Sequence, residues 1–502
     1  MEIDENTTPS TRDIIHAGFE NLGRAKELLS EVCSAGDLEL TQRELLGELA
    51  HCADPDVALD ALHELIISFA DRPGKLHGLL HGRSPRTLLQ VLGASRQLGV
   101  LMRSRPELVE AAAVDSLHSA GFDGEARRAT MLAAIDAHEE QLGAADSSDS
   151  SFRRLITDVP LAEATNRLRR NYYEQLAAIM AYDVSHDDPI AIQPAVSRAL
   201  SDLADAALES ALAIAQSNTE ESELLRFTII GMGKLGAQEL NYVSDVDLIY
   251  VVEPMAETMS QPQLVKVGSK IAMLMQKICQ SVMPNVMEPA LWQIDGALRP
   301  EGKDGPLVRR LDSHKAYYRQ WAESWEFQAL LKARAVAGDV PLGEAYMQMA
   351  SEFVWQASRR ENFVSDCQRM RERVESLIPV PLRDREIKLG RGGLRDVEFT
   401  VQMLQLVHGR ADETLHVRST LRFPMAAMSR AAMPACSPTT TVSNGCLNTA
   451  SRCGSSNAPI CSPTWAMRTP ADWRRSARSM WRSSRAMPNC TGSPACSAGT
   501  TR

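Results

Sequence analysis

Ile230-Gly231-Met232-Gly233-Lys234-Leu235-Gly236, followed by Glu239-Leu240-Asn241-Tyr242-Val243-Ser244-Asp245-Val246-Asp247-Leu248, is the stretch on which the fold turns. Phe227-Thr228-Ile229-Ile230 is short, apolar and β-rich, and it runs into a glycine as a buried strand does. Val246 to Val252 reads as a second strand, with a Gly-rich turn and a short helical segment between the two. Alternate residues of a strand share a face, so Asp245 and Asp247 are placed to point at one spot. Two carboxylates forced together repel unless a cation sits between them. Oxygen-only ligands suit Mg²⁺, which keeps its other positions for water and phosphate oxygens. Leu291-Trp292-Gln293-Ile294-Asp295 reads as a third strand and supplies a third carboxylate, Asp295. Three carboxylates can hold two metals, which stabilise the attacking and leaving oxygens in phosphoryl or nucleotidyl transfer.

The glycines have their own reading. Gly231 and Gly233, with Gly236 behind them, let the backbone approach a bulky anion and turn N–H groups toward phosphate oxygens. Lys234 adds charge and Ser244 a hydroxyl donor. The run is not a Walker A loop, because Gly-x-x-x-x-Gly-Lys-[Ser/Thr] is absent. It does match the dinucleotide pattern Gly-x-Gly-x-x-Gly, with Glu253 as a candidate acidic partner. The segment between the strands is short for a crossover helix, and a dinucleotide site needs no carboxylate pair, so that reading is set aside. Taken singly, Gly-x-Gly-Lys is a common turn and Asp-x-Asp a common solvated turn. Both followed by a strand Asp some fifty residues on are much rarer together.

Outward from this stretch the chain is helical. Ser10 to about Gln216 repeats apolar residues three and four apart with charges between, broken by turns at Asp54-Pro55-Asp56 and Asp71-Arg72-Pro73-Gly74. Ala144 to Ser151 is a polar loop. Leu264 to Met283 is a helix, and helices resume from Asp312 to about Gly409. The expected architecture is mostly α with a small α/β domain. Its parts are an N-terminal helical region over 1–155, the α/β domain over 156–310 with its core at 224–310, a helical bundle over 311–422, and a tail over 423–502. That last segment holds no Lys, Glu or His, but six of the ten Cys, three of the seven Trp and nine Arg. Its periodicity vanishes, and it reads as an out-of-frame product or a disordered tail. No Cys-x-x-Cys pair supports a zinc site. A formal charge of -10 argues against general nucleic-acid binding. No run of about twenty apolar residues suggests a membrane span, and the acidic start is no secretory signal, so a cytoplasmic location is expected.

At this point the residues resemble a family. Gly231 to Leu248 is similar to the signature of glutamine synthetase adenylyltransferases, within the polymerase-β-like nucleotidyltransferase superfamily. Asp295-Gly296-Ala297-Leu298-Arg299-Pro300, Trp325-Glu326 with Gln328 to Arg334, and Lys388-Leu389-Gly390-Arg391-Gly392-Gly393-Leu394-Arg395-Asp396-Val397-Glu398-Phe399 resemble three further blocks. The resemblance implies a polymerase-β-like domain flanked by helical bundles. It also implies phosphorolytic removal of AMP from a tyrosine of adenylylated glutamine synthetase, giving ADP. ATP, ADP and inorganic phosphate would be the small ligands, Mg²⁺ the cofactor and PII signal proteins further partners. Family members carry two such domains in tandem, and the match is to the amino-terminal, deadenylylating one. Many members have a basic residue where Ala297 stands, a departure that touches one phosphate contact and not the metal site.

Asp245, Asp247 and Asp295 are the expected catalytic and metal-binding residues. Arg299, Lys303, Lys332 and Arg334 are candidates for nucleotide and phosphate, with surface pairing to Glu301 or Glu326 as the plain alternative. Lys388, Arg391 and Arg395 flank a Gly392-Gly393 turn whose N–H groups open a helix, a plausible anion site. On that helix Val397, Val401 and Leu404 form an apolar stripe beside a polar one of Glu398, Gln402 and Gln405, which leaves Glu398 free to face the cleft. His408 is read as structural. Two alternatives stay open: a uridylyltransferase of PII proteins, which shares part of the last block, and a non-catalytic module or inactive fragment.

Overall fold

The computed structural model describes residues 8–423 except 36–37, 71–74, 81–84, 113–122, 143–151, 257–258, 358, 361 and 384. The polar loop expected at Ala144 to Ser151 and all of the expected tail beyond Phe423 lie outside the described residues. The described chain is mostly helical with a small sheet portion. The described residues divide into two compact units, one built from residues 8–78 and 89–103, the other from 79–88 and 104–423. Among the described residues no helix is long and apolar enough to cross a membrane.

The first unit is a set of short capped helices. Ser10 and Thr41 each accept from the backbone of a carboxylate residue three positions on, which answers with its own side chain in a capping box. Asp54 caps Pro55–Ser68, whose proline occupies the first helical position. Leu28, Leu29, Leu45, Leu49, Leu59 and Leu62 fill the unit's core.

In the second unit the helix Pro189–Ser217 is the spine. From Val196 to Gln216 it is buried on nearly every face, as an all-round apolar helix must be. It packs on Leu161–Ser185, Gly124–Ala134 and Gln261–Gln280. Arg169, 1% exposed, donates to the carbonyls of Ile278, Ser281 and Glu288. A guanidinium thereby satisfies the open end of Gln261–Gln280.

A polar hairpin, β1 (His138–Leu142) and β2 (Phe152–Ile156), stands inside the region expected to be helical through residue 155. The main sheet follows. β3 (Leu225–Gly231) lies between two antiparallel neighbours, β4 (Val246–Pro254) and β7 (Arg334–Gly338). β5 (Ile294–Asp295) and β6 (Val308–Arg309) run parallel to β4 on its other edge. The antiparallel β3–β4 pair excludes a βαβ dinucleotide unit. Glu253 instead bonds Arg310 and the Leu311 N–H at a helix start.

Both sheet faces are covered, which explains the unbroken apolar runs. Ile230, Ile249 and Val251 face a cluster with Phe327, Leu330 and Tyr346. On the other face Tyr250 bonds Gln276 of Gln261–Gln280. The third strand shrinks from the expected five residues to two. β7 was expected as helix; the helix Ser324–Leu330 stops short and the chain re-enters the sheet, past the boundary placed at 310. Phe423 is 6% exposed and packs with Val401 and Leu415, so it belongs to the folded part and not to the tail.

Candidate active site

The turn after β3 is built by three glycines with three different reasons. Gly231 sits in the ladder opposite Leu248 and Arg334, where a Cβ would come within 2.8 Å of Val336. Gly233 has φ +54, and a Cβ there would lie 2.5 Å from Oδ2 of Asp247. Gly236 presses on the Lys332 carbonyl so closely that a Cβ would stand 1.8 Å from it. Gly231 and Gly236 thus serve packing, and Gly233 makes room for a carboxylate.

That carboxylate is half-buried and stands in register with Asp295 across the β4–β5 pair. Burial, then the charge of Asp295, pushes Asp247 up to about 6; Asp245 adds to this, and Lys388 and Arg395 oppose it. Asp295 accepts the Ala297 N–H at 2.8 Å. Asp245 precedes the strand and is exposed, with Ser244 bonding its carbonyl at 3.1 Å. Among the described residues no three His, Cys, Asp or Glu side chains stand as a ready ligand cluster. The structure therefore brings Asp247 and Asp295 together and leaves Asp245 beside the pair rather than converged with it. The donor set still fits a hard cation, because it offers oxygen only and its members repel one another.

The expected basic residues separate into groups. Lys234 bonds Asn241 at 2.9 Å, and its ammonium is held below its ordinary value by burial first, then by Lys388, with Lys332 and Arg395 adding to the effect. Lys388 and Arg395 are the cations whose charge reaches Asp247, and both also act on Lys234. Lys332, 4% exposed, is spoken for: its ammonium reaches Glu239 at 3.3 Å and Glu398 at 3.0 Å, not Glu301 or Glu326. Arg334 forms a two-pronged pair with Asp205 at 2.6 and 3.1 Å and donates to Leu235, because it lies on β7 and not on a helix. Arg299 folds back on its own loop, bonding the carbonyls of Gly296, Lys303 and Gly305. Lys303 is exposed on that loop. Arg391 reaches outward to Glu375.

The Gly392-Gly393 turn does not offer its N–H groups to an anion. The Gly392 N–H goes to Asp396, Gly393 to Gly390, Leu394 to Ile387 and Arg395 to Lys388. Asp396 is itself paired with Arg371. The helix stripes depart from expectation in part: Val401 is buried and Leu404 packs beside it, as an apolar stripe requires. Val397 is 53% exposed, whereas Gln402 and Gln405 are buried and bond Gln328 and the carbonyls of Leu415 and Val417. Glu398 sits on that inner side against Lys332, and His408 is exposed at the helix end.

Glu239 is the residue that site reasoning passed over. It accepts from Lys332, the Ser419 hydroxyl and the Leu421 N–H. The signal was present, since Glu239 and Asn241 lie inside the quoted run.

Comparison with known proteins bears on the family of the chain. The family model described as Glutamate-ammonia ligase adenylyltransferase matches residues 86–349, and that of the GlnD PII-uridylyltransferase matches 368–435. A bifunctional glutamine synthetase adenylyltransferase/adenylyl-removing enzyme of Bifidobacterium longum subsp. infantis is 57% identical over 82% of this chain and 38% of its own length. Proteins of the same name from Cutibacterium acnes and Streptomyces avermitilis are 43% and 41% identical, over 74% and 81% of this chain and 36% and 38% of their own. The chain thus spans well under half the length of the curated relatives it matches. With the family match covering more than half of its residues, the chain belongs to the glutamate-ammonia ligase adenylyltransferase family.

Proposed function

We propose that this chain is a polymerase-β-like nucleotidyltransferase that removes AMP from a tyrosine of adenylylated glutamine synthetase by phosphorolysis, giving ADP. The observation that carries the reading is the Asp247–Asp295 pair in register beneath Gly233, with Lys388 and Arg395 acting on Asp247 and on Lys234. Asp247 and Asp295, with Asp245 beside them, would hold Mg²⁺, which when bound neutralises charge on phosphate oxygens. Lys234, Lys388 and Arg395 hold the oxygens of the adenylyl group and the attacking phosphate, donating where negative charge builds. Lys303 joins from its exposed loop, and Arg299 keeps that loop folded. Lys332 acts at one remove by fixing Glu239 and Glu398.

PII signal proteins are proposed as further partners, and the cytoplasm as the location. The names of the relatives carry both addition and removal of the adenylyl group. Such a site favours neither direction by itself, because charge develops on the same phosphorus whichever oxygen attacks. The test is incubation with adenylylated glutamine synthetase, phosphate and Mg²⁺, followed by mass measurement of the synthetase. Loss of the AMP mass with ADP formation is expected; an unchanged synthetase overturns the assignment. Radiolabelled ATP with unmodified synthetase reads the opposite direction. The match at residues 368–435 favours a second reading, uridylylation of a PII protein, which labelled UTP and PII test directly.

A further inference from the structure

A second cleft, of about 580 Å³, opens beside the catalytic turn and is not lined by Asp245, Asp247 or Asp295. Its apolar wall includes Met347 and Val354 of the helix Val340–Ala357. Arg198 enters from the helix Pro189–Ser217, and Arg418 and Arg422 from the segment that follows Val417. Among the described residues none of these three arginines makes an ion pair. Asp202 acts on Arg198 only through space, its own hydrogen bond being from Gln238 at 3.1 Å. Arg418 gives its Nε–H to the Ala333 carbonyl at 2.8 Å and is opposed by the charge of Arg334. One carboxylate lines the cleft, Glu239, and both its oxygens are taken by Lys332, Ser419 and Leu421.

Three guanidinium groups without an ion-pair partner, facing an apolar wall in a cleft of ligand size, are the makings of an anion site. We propose that this cleft binds a small phosphomonoester with an apolar body, separately from the nucleotidyl-transfer site. A dianionic head matches surplus charge that a single carboxylate leaves unbalanced, and planar forks suit phosphate oxygens. The body lies along Met347 and Val354. A ligand holding Arg418 and Arg422 also holds the segment that carries Ser419 and Leu421, and that segment bonds Glu239 beside Gly236. Occupancy therefore reports to the catalytic turn through one side chain. The inference does not rest on the reaction proposed above.

Phenyl phosphate is the probe, with inorganic phosphate and benzoate as controls, titrated calorimetrically against the whole chain. Phenyl phosphate should bind at least about tenfold tighter than either control. Arg198→Ala and Arg418→Ala should each weaken it about tenfold, a usual loss for one charge-assisted fork. Leu421→Glu, which places a negative charge at a residue 61% exposed, should do the same without disturbing the core. Asp247→Asn should bind normally. Equal affinity for inorganic phosphate overturns the proposal, as does unchanged affinity in a folded Arg198→Ala/Arg418→Ala double variant. Loss of binding in Asp247→Asn assigns the ligand to the reaction site and overturns it equally. If Arg198→Ala unfolds, the exposed Arg422→Ala reads the same cleft.

Discussion

Two turns of this protein look alike on paper and differ in what they leave free. The turn at 231–236 and the turn at 390–393 are both glycine-rich, both carry a basic residue, and both open a helix. In the second, four successive N–H groups are consumed by Asp396, Gly390, Ile387 and Lys388, and Arg391 points away to Glu375. In the first, Gly233 cradles the Asp247 carboxylate, and Lys234 hydrogen-bonds the neutral Asn241, with Glu398 acting on it through space against Lys388, Lys332 and Arg395. Glycine and a basic residue therefore do not make an anion site where the fold has already engaged the donors and the charge.

The sharpest way to break this contrast is Asp247→Asn. Transfer activity should fall about a thousandfold or more, as for loss of a group that organises transition-state charge. The same variant should melt higher at pH 7 to 8. The folded-state value, about 6, lies above the unfolded 3.8, so the folded protein holds the proton more tightly. Its stability is favoured at low pH and declines as pH rises through about 6. The gain in melting temperature should be a few degrees at neutral pH and should vanish near pH 4. A variant that melts lower at neutral pH, or stays active, removes the basis for an unspent carboxylate.

Glycine replacement separates the turns by stability. Gly236→Ala drives a methyl into the Lys332 backbone and should cost roughly 3 kcal/mol or more, read by denaturant unfolding. Gly392→Ala meets nothing within 4 Å and carries only its φ of +71, so about 1 kcal/mol is expected. Equal costs would mean that the first turn is no tighter than the second.

Cation removal sharpens the same point. Lys332→Met leaves Glu239 and Glu398 without their shared partner and should cost about 3 kcal/mol. Arg391→Ala breaks a pair whose arginine is 88% exposed, so a change within about 0.5 kcal/mol is expected. The smallest stability effect should come from Lys388→Ala, which is exposed yet acts on Asp247. There the melting temperature should hold while the KM for phosphate rises about tenfold. An unchanged KM would separate Lys388 from the site.

How much of this was readable depended on how local its cause is. β3 and β4 announced themselves because both sheet faces are buried, so Phe227 to Ile230 and Leu248 to Val252 are β-rich without a charge among them. β7 hid because Arg334-Ala335-Val336-Ala337-Gly338 follows a run of good helix formers. Only pairing with β3 makes it a strand. The fate of Arg334 was equally out of reach, since its partner Asp205 lies 129 residues upstream. The hairpin β1–β2 is too polar to show a buried face, with Glu139 and Glu140 answered by Arg153 and Arg154. Gln402 and Gln405 read only as a polar stripe, because hydrogen bonds to Gln328, Leu415 and Val417 are invisible in a single helix.

The contact of Gly236 with the Lys332 carbonyl also sets an order of assembly. β3 and β4 are joined by a short connection and can pair as soon as residue 254 leaves the ribosome, because closing a short loop is fast. The glycine turn between them has nothing to close against until residue 332 is made, and β7 completes its far side only at residue 338. A nascent chain arrested between those points would carry the paired strands and the Asp-x-Asp run with an unseated turn. Seating of the glycine turn thus waits on one backbone carbonyl, that of Lys332, rather than on the strands that flank the turn.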